Sequence, residues 1–197
     1  MTELLTYLER PIAFAASLLI FSGQLTYFIS TLKKRVTPSV LSWYGWAFLM
    51  TTLLVAQIAE VGWEWNLLSI AACTVGCIAI GTVALAKKNY SIHKRDWLFL
   101  GLGIVCTILY IISKDPWITT IYAVLADLII GIPTLIKAWV DPKSERSAAW
   151  IISLLTWSLT LLISFNHDLL YALFPIYLWI YCAFMVWFVF GRKMPNH

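Results

Sequence analysis

Seven stretches of roughly 20 mostly apolar residues run through this 197-residue chain with almost no charge inside them. Folded as an α-helix, such a stretch matches the ~30 Å hydrocarbon core of a bilayer. Helix is the form available there, because no water satisfies free backbone groups. We read the spans as Pro11–Leu32, Val40–Ala59, Trp65–Ala86, Trp97–Ser113, Trp117–Val140, Ala148–Ser164 and Leu169–Phe190. Pro11 is expected in the first turn of span one, where its missing N–H has no partner to lose. Trp65, Trp97 and Trp117 each open a span, as interfacial anchors do. Composition excludes a water-soluble globule: 61% of residues are apolar and 12% charged, against about a quarter charged in soluble domains. The first ten residues, MTELLTYLER, carry more acid than base, so span one is expected to be retained and not cleaved as a signal peptide.

Lysine and arginine positions set the expected orientation. Lys33, Lys34 and Arg35 follow span one; Lys87, Lys88, Lys94 and Arg95 follow span three; Lys137, Lys143 and Arg146 end or follow span five; Arg192 and Lys193 close the chain. These are 12 of the 14 basic residues, and with an odd number of spans they share one side. Arg10 and Lys114 lie opposite, with Glu3, Glu9, Glu60, Glu64, Asp115 and Asp168. The positive-inside rule then puts the N-terminus outside and the C-terminus in the cytoplasm, and a prokaryotic inner (plasma) membrane is the expected location. Because the basic residues are spread over short membrane-flanking segments, no nucleic-acid partner is expected. Cys73, Cys77, Cys106 and Cys182 all lie in apolar runs and read as small packing residues.

An internal repeat divides the spans. Thr31-Leu32 before Lys34 lines up with Thr134-Leu135 before Lys137, and in that register Gln24 falls on Asp127. After a four-residue insertion, Ser39-Val40-Leu41-Ser42-Trp43 faces Arg146-Ser147-Ala148-Ala149-Trp150. With a further shift Cys77 faces Cys182. The expected architecture is an all-α membrane protein of seven transmembrane helices. Two parallel three-helix bundles, residues 11–86 and 117–191, are joined by a linker region at 87–113. Residues 1–10 form an extracytoplasmic segment and 192–197 a cytoplasmic tail.

A helix ending Ile132-Pro133-Thr134-Leu135-Ile136-Lys137, the polar loop Asp141-Pro142-Lys143-Ser144-Glu145 and a Trp-bearing helix resemble the PQ-loop motif. That motif belongs to the superfamily of SWEET sugar transporters, cystinosin-like transporters and KDEL receptors. Thr134 stands where the motif has Gln, and Ser30-Thr31 stand where the first copy would have Pro-Gln. With Asp96-Trp97 opening span four, the chain looks closest to an uncharacterised prokaryotic group within the superfamily. The resemblance implies a 3+1+3 arrangement with the N-terminus outside, and a role for Pro133 as a hinge between outward- and inward-open states.

Asp127 is the only acidic residue deep in any span. An ionised carboxylate near the midplane costs several kcal/mol, and such groups commonly mark a pathway or relay. It is the candidate proton-coupling or polar-ligand site; the alternative is a structural hydrogen bond to a neighbouring helix. Gln24 at the matching position could share its pocket, with Ser17, Phe21, Tyr27, Phe28 and Thr31 on nearby faces, or could instead bond between helices. Trp43, Trp46, Trp150 and Trp157, on repeat-related spans two and six, are candidates to line a central cavity, with Gln57 and Met50 on the face of Trp43; the alternative for each aromatic is plain packing. Pro133 itself, with no N–H to donate, permits a kink; the alternative is a proline merely tolerated within the span.

His93, His167 and His197 all fall in loops or the tail, so no pair can clamp a haem, and no cofactor or metal is expected. Span seven has no lysine for a retinal Schiff base, and one midspan carboxylate excludes a two-aspartate protease. With no GxSxG, HExxH or P-loop, an enzyme is not expected. The expected function is a membrane transporter moving a small polar solute by alternating access. The alternative is a non-transporting receptor or partner-binding subunit of the same fold. The partners are the bilayer and the solute, with a homo-oligomer allowed.

Overall fold

The computed structural model describes residues 2–61, 67–165 and 169–192. Among them the regular elements are helical: α1 (Thr2–Leu32), α2 (Val40–Val61), α3 (Leu67–Ala86), α4 (Lys94–Ile112), α5 (Pro116–Val140), α6 (Ala149–Ser164) and α7 (Leu169–Val186). A short 3-10 turn, Pro142–Glu145, sits between α5 and α6, and a π-helical turn, Trp187–Gly191, extends α7. Tyr7–Leu32, Lys94–Ile112, Pro116–Val140 and Ala172–Gly191 are long and apolar enough to cross a membrane; Val40–Ala56, Ile70–Ala86 and Ala149–Ser164 are shorter apolar helices.

The outer surface is apolar. Phe14, Leu18, Phe21 and Leu25 run down the exposed side of α1, and Leu98, Leu102, Val105 and Ile112 down that of α4. An apolar exterior on this scale is consistent with an integral membrane protein. Helical hydroxyls behave accordingly: Thr26, Ser30, Thr51, Thr107, Thr156 and Thr160 each donate to the carbonyl four residues back, because no water competes for them.

Helix ends follow local chemistry. α1 runs through Pro11 from Thr2, which corrects the expected start. The proline removes the bond to the Tyr7 carbonyl, and Tyr7 is exposed, so the loss falls on an unburied part of the helix. α4 starts at Lys94, ahead of the expected Trp97, because the Asp96 carboxylate accepts the His93 backbone N–H at 2.8 Å. Asp115 caps α5 by accepting from the N–H groups of Trp117 (2.9 Å) and Ile118 (3.0 Å), with Pro116 at the first position. α1 and α3 end alike: Lys34 (φ 55°) and Lys88 (φ 49°) are left-handed. Arg35 N–H then returns to Ser30 O, and Asn89 N–H to Ala84 O, closing a Schellman motif at both ends. Trp65 lies outside the described residues.

Packing follows a closed circuit. α3 lies between α1 and α2, α7 lies between α5 and α6, and the two triplets meet through α1 on α6 and α2 on α5. α4 packs outside this ring, on α5 and α2. Exchanging α1, α2, α3 for α5, α6, α7 maps every one of the ring's neighbour pairs onto another. Paired positions are buried alike: Thr31 and Thr134 at 0% exposure each, Trp43 and Trp150 at 5% and 6%, Cys77 and Cys182 at 2% and 3%.

Candidate functional site

The ring encloses a cavity of about 980 Å³ that reaches every helix. Its lining runs from Ser113 and the exposed Lys114 and Pro116, which form its mouth on the end opposite the basic loops, to an aromatic floor. Five rings close that floor in a circuit: Tyr27 to Trp43 (centroids 4.6 Å), Trp43 to Trp46 (5.3 Å), Trp46 to Tyr181 (6.0 Å), Tyr181 to Trp150 (6.3 Å) and Trp150 back to Tyr27 (5.9 Å). Tilted and edge-to-face geometries dominate, the arrangements that ring quadrupoles favour.

Asp127 is buried on the α5 wall, at the level just above the floor. Its carboxylate accepts a hydrogen bond from the Tyr177 hydroxyl at 2.7 Å, and its backbone carbonyl accepts the Trp46 indole N–H at 3.3 Å. Gln24 lines the α1 wall of the same cavity. Its amide nitrogen reaches Cys73 Sγ at 3.4 Å, while its Oε1 is buried with no hydrogen-bond partner. Trp43 Nε1 is likewise a buried donor without an acceptor. Gly76 is what lets α3 approach here, since a Cβ at that position would lie 2.8 Å from the Gln24 side chain.

Other candidates divide. Trp46, Met50, Trp150 and Trp157 line the cavity with Asp127 and Gln24, and Tyr27 forms part of its floor. Phe21 does not: its ring is 56% exposed on the outer face. Phe28 instead lines a shallow apolar groove against α3. Ser17 and Thr31 donate to their own helix carbonyls, at Ala13 and Tyr27. Pro133 is buried within an unbroken α5 and lies outside the cavity lining. The Gln57 side chain lies outside what is described, as do Asn166, His167 and Asp168. Among the described residues no cluster of three or more His, Cys, Asp or Glu is placed to hold a metal.

Sequence reasoning passed over Glu145. It ends the 3-10 turn, yet it is fully buried beneath the floor. Tyr27 donates its hydroxyl to Glu145 Oε2 at 2.5 Å, and Trp150 donates its indole N–H to the Glu145 carbonyl at 3.1 Å. Lys137 pairs with the Glu145 carboxylate and also donates to the Thr37 carbonyl. Thr37 N–H in turn bonds Ser144 O at 2.7 Å, so the two loops of the basic end lock together. Asn89 adds a bond from the α3–α4 connection to Val36 O at 2.7 Å. Burial pushes the Glu145 carboxyl above the ordinary glutamate value, with Lys137 and Tyr27 pulling against it. The one signal for this in the sequence is an acid eight positions after a span-ending lysine.

No family model, curated protein or solved structure matches the chain.

Proposed function

We propose that this chain is an integral membrane transporter that moves a small polar solute by alternating access. All seven helices cross the bilayer, as two parallel three-helix units joined by α4, in the manner of the PQ-loop and SWEET-like superfamily. The N-terminus is outside, the C-terminus is cytoplasmic and the membrane is the prokaryotic inner membrane. The observation that carries the reading is the cavity: it lies where the two triplets meet, has its mouth at one end and stops on a five-ring floor at the other. Repeat-built transporters place solute sites at such an interface. The exchangeable neighbour pairs and the equal burial of Trp43 with Trp150 support the duplication.

In this reading the conformation is outward-open. The solute rests on the aromatic floor beside Asp127 and Gln24, and the floor with its Glu145–Lys137 lock is the closed inner gate. Asp127 carries the coupled proton, and Pro133 absorbs the change of shape in α5. One feature favours the receptor alternative: a pocket that ends on a closed floor is also what a non-transporting binder needs. Uptake of a small-metabolite panel into proteoliposomes, with and without a pH gradient, distinguishes them. Accumulation driven by the gradient and lost in Asp127→Asn supports transport, whereas binding with no uptake of any panel member sinks it.

A further inference from the structure

We propose, building on the reading of this cavity as the solute site, that the solute is an organic cation bearing at least one N–H group: a protonated amine, amidinium or guanidinium. Among the described lining residues two are charged, Asp127 and Lys114. Lys114 belongs to the mouth, roughly 20 Å from Asp127 at 1.5 Å of rise per residue. The interior is therefore a single-acid site. An ionised carboxylate buried in apolar surroundings is stable only beside a positive partner, and an incoming cation is that partner. An anion would meet the acid and the negative faces of the floor rings together.

The hydrogen-bonding groups favour donors on the solute. Gln24 Oε1 is a buried acceptor with nothing bonded to it, since the amide nitrogen is turned to Cys73. The Asp127 carboxylate takes one bond from Tyr177 and has lone pairs for more. Donors for a solute oxygen are few: Ser153 and Trp157 line the cavity, while Thr156 and Thr160 give their hydroxyl protons to their own helix. Trp43 Nε1 is the buried donor left over. The floor supplies what a cation's body needs, because indole and phenol faces attract positive charge.

The test uses the full-length chain in lipid nanodiscs and near-isosteric pairs of opposite character: benzamidinium against benzamide, and butylguanidinium against butylurea. Binding is read from tryptophan fluorescence and from the shift in melting temperature. Each cation should bind about ten-fold or more tightly than its neutral twin, as a charge-assisted hydrogen bond requires. Asp127→Asn should erase that gap and Asp127→Glu should keep it. The wild-type comparison needs no variant, so an Asp127→Asn chain that fails to fold leaves the test intact. Equal responses to the twins, no response to either cation, or a gap persisting in folded Asp127→Asn overturns the proposal. Proteoliposome uptake of the same compounds separates it from the transport reading. Cation binding without uptake sinks transport and keeps the solute class; uptake of the neutral twins alone sinks the class and keeps transport.

Discussion

The Tyr27 hydroxyl donates to a Glu145 carboxylate oxygen 118 positions further along the chain, across 2.5 Å. One bond thus joins the cavity floor to the turn that follows α5. Lys137 holds the other side of the same carboxylate.

Removing that carboxylate leaves Lys137 charged and largely buried with no counterion. Glu145→Ala should lower unfolding stability by about 3–5 kcal/mol, the usual result of breaking a buried pair from one side. Tyr27→Phe should lower it by about 1–3 kcal/mol. Replacing both Lys137 and Glu145 with apolar residues should recover much of the loss. Denaturant unfolding in detergent micelles measures all three, and a Glu145→Ala cost under about 1 kcal/mol would show the pair to be dispensable.

The raised Glu145 carboxyl fixes a sign for pH. The folded chain holds that proton more tightly than the unfolded chain does. Its contribution to stability is therefore full below the ordinary glutamate value of about 4.3 and is lost as pH climbs through the higher folded value. The stability of the wild type relative to Glu145→Gln should decline across that window. A relative stability that grows with pH would mean that attraction to Lys137 outweighs burial.

Asp127→Asn is nearly isosteric and keeps an acceptor for Tyr177, so helical content by circular dichroism should hold. Gradient-driven uptake should fall to the level of empty liposomes. If melting temperature drops sharply while uptake persists, Asp127 is a structural residue.

Gly131 sits against the floor, where a Cβ would lie 2.8 Å from Tyr181 and 3.1 Å from Trp46. Gly131→Ala should destabilise by about 1–3 kcal/mol through overpacking and shift tryptophan emission. Gly101 has nothing within 4 Å of a Cβ, so Gly101→Ala should be neutral or stabilise by up to about 1 kcal/mol. Thermal melts of the two variants in parallel check the contrast.

Helix positions were legible because hydrocarbon thickness and backbone chemistry leave one solution for long apolar runs. Gln24 and Asp127 could be paired by register alone, and they do line one cavity. Which way a helix is rotated was harder to read. In α1 both faces are apolar, one toward lipid and one toward neighbours, so the periodicity that sorts inside from outside in a soluble helix is faint. Phe21 and Phe28 were misplaced for that reason. Glu145 escaped notice because charged residues in a connecting turn are ordinarily solvated, and its burial depends on Tyr27 and Lys137, which only the tertiary fold brings to it.

The order of neighbours around the ring bears on how the protein is made. α1 borders α3 on one flank and α6 on the other, and α6 emerges from the ribosome more than a hundred residues later. Nascent α1, α2 and α3 can assemble as a unit, with the Gln24 amide already set on Cys73 of α3, yet the face of α1 that carries Gly23 has no partner until α6 is made. A chain halted after α4 would leave that face uncovered, a state that cellular quality control is built to detect.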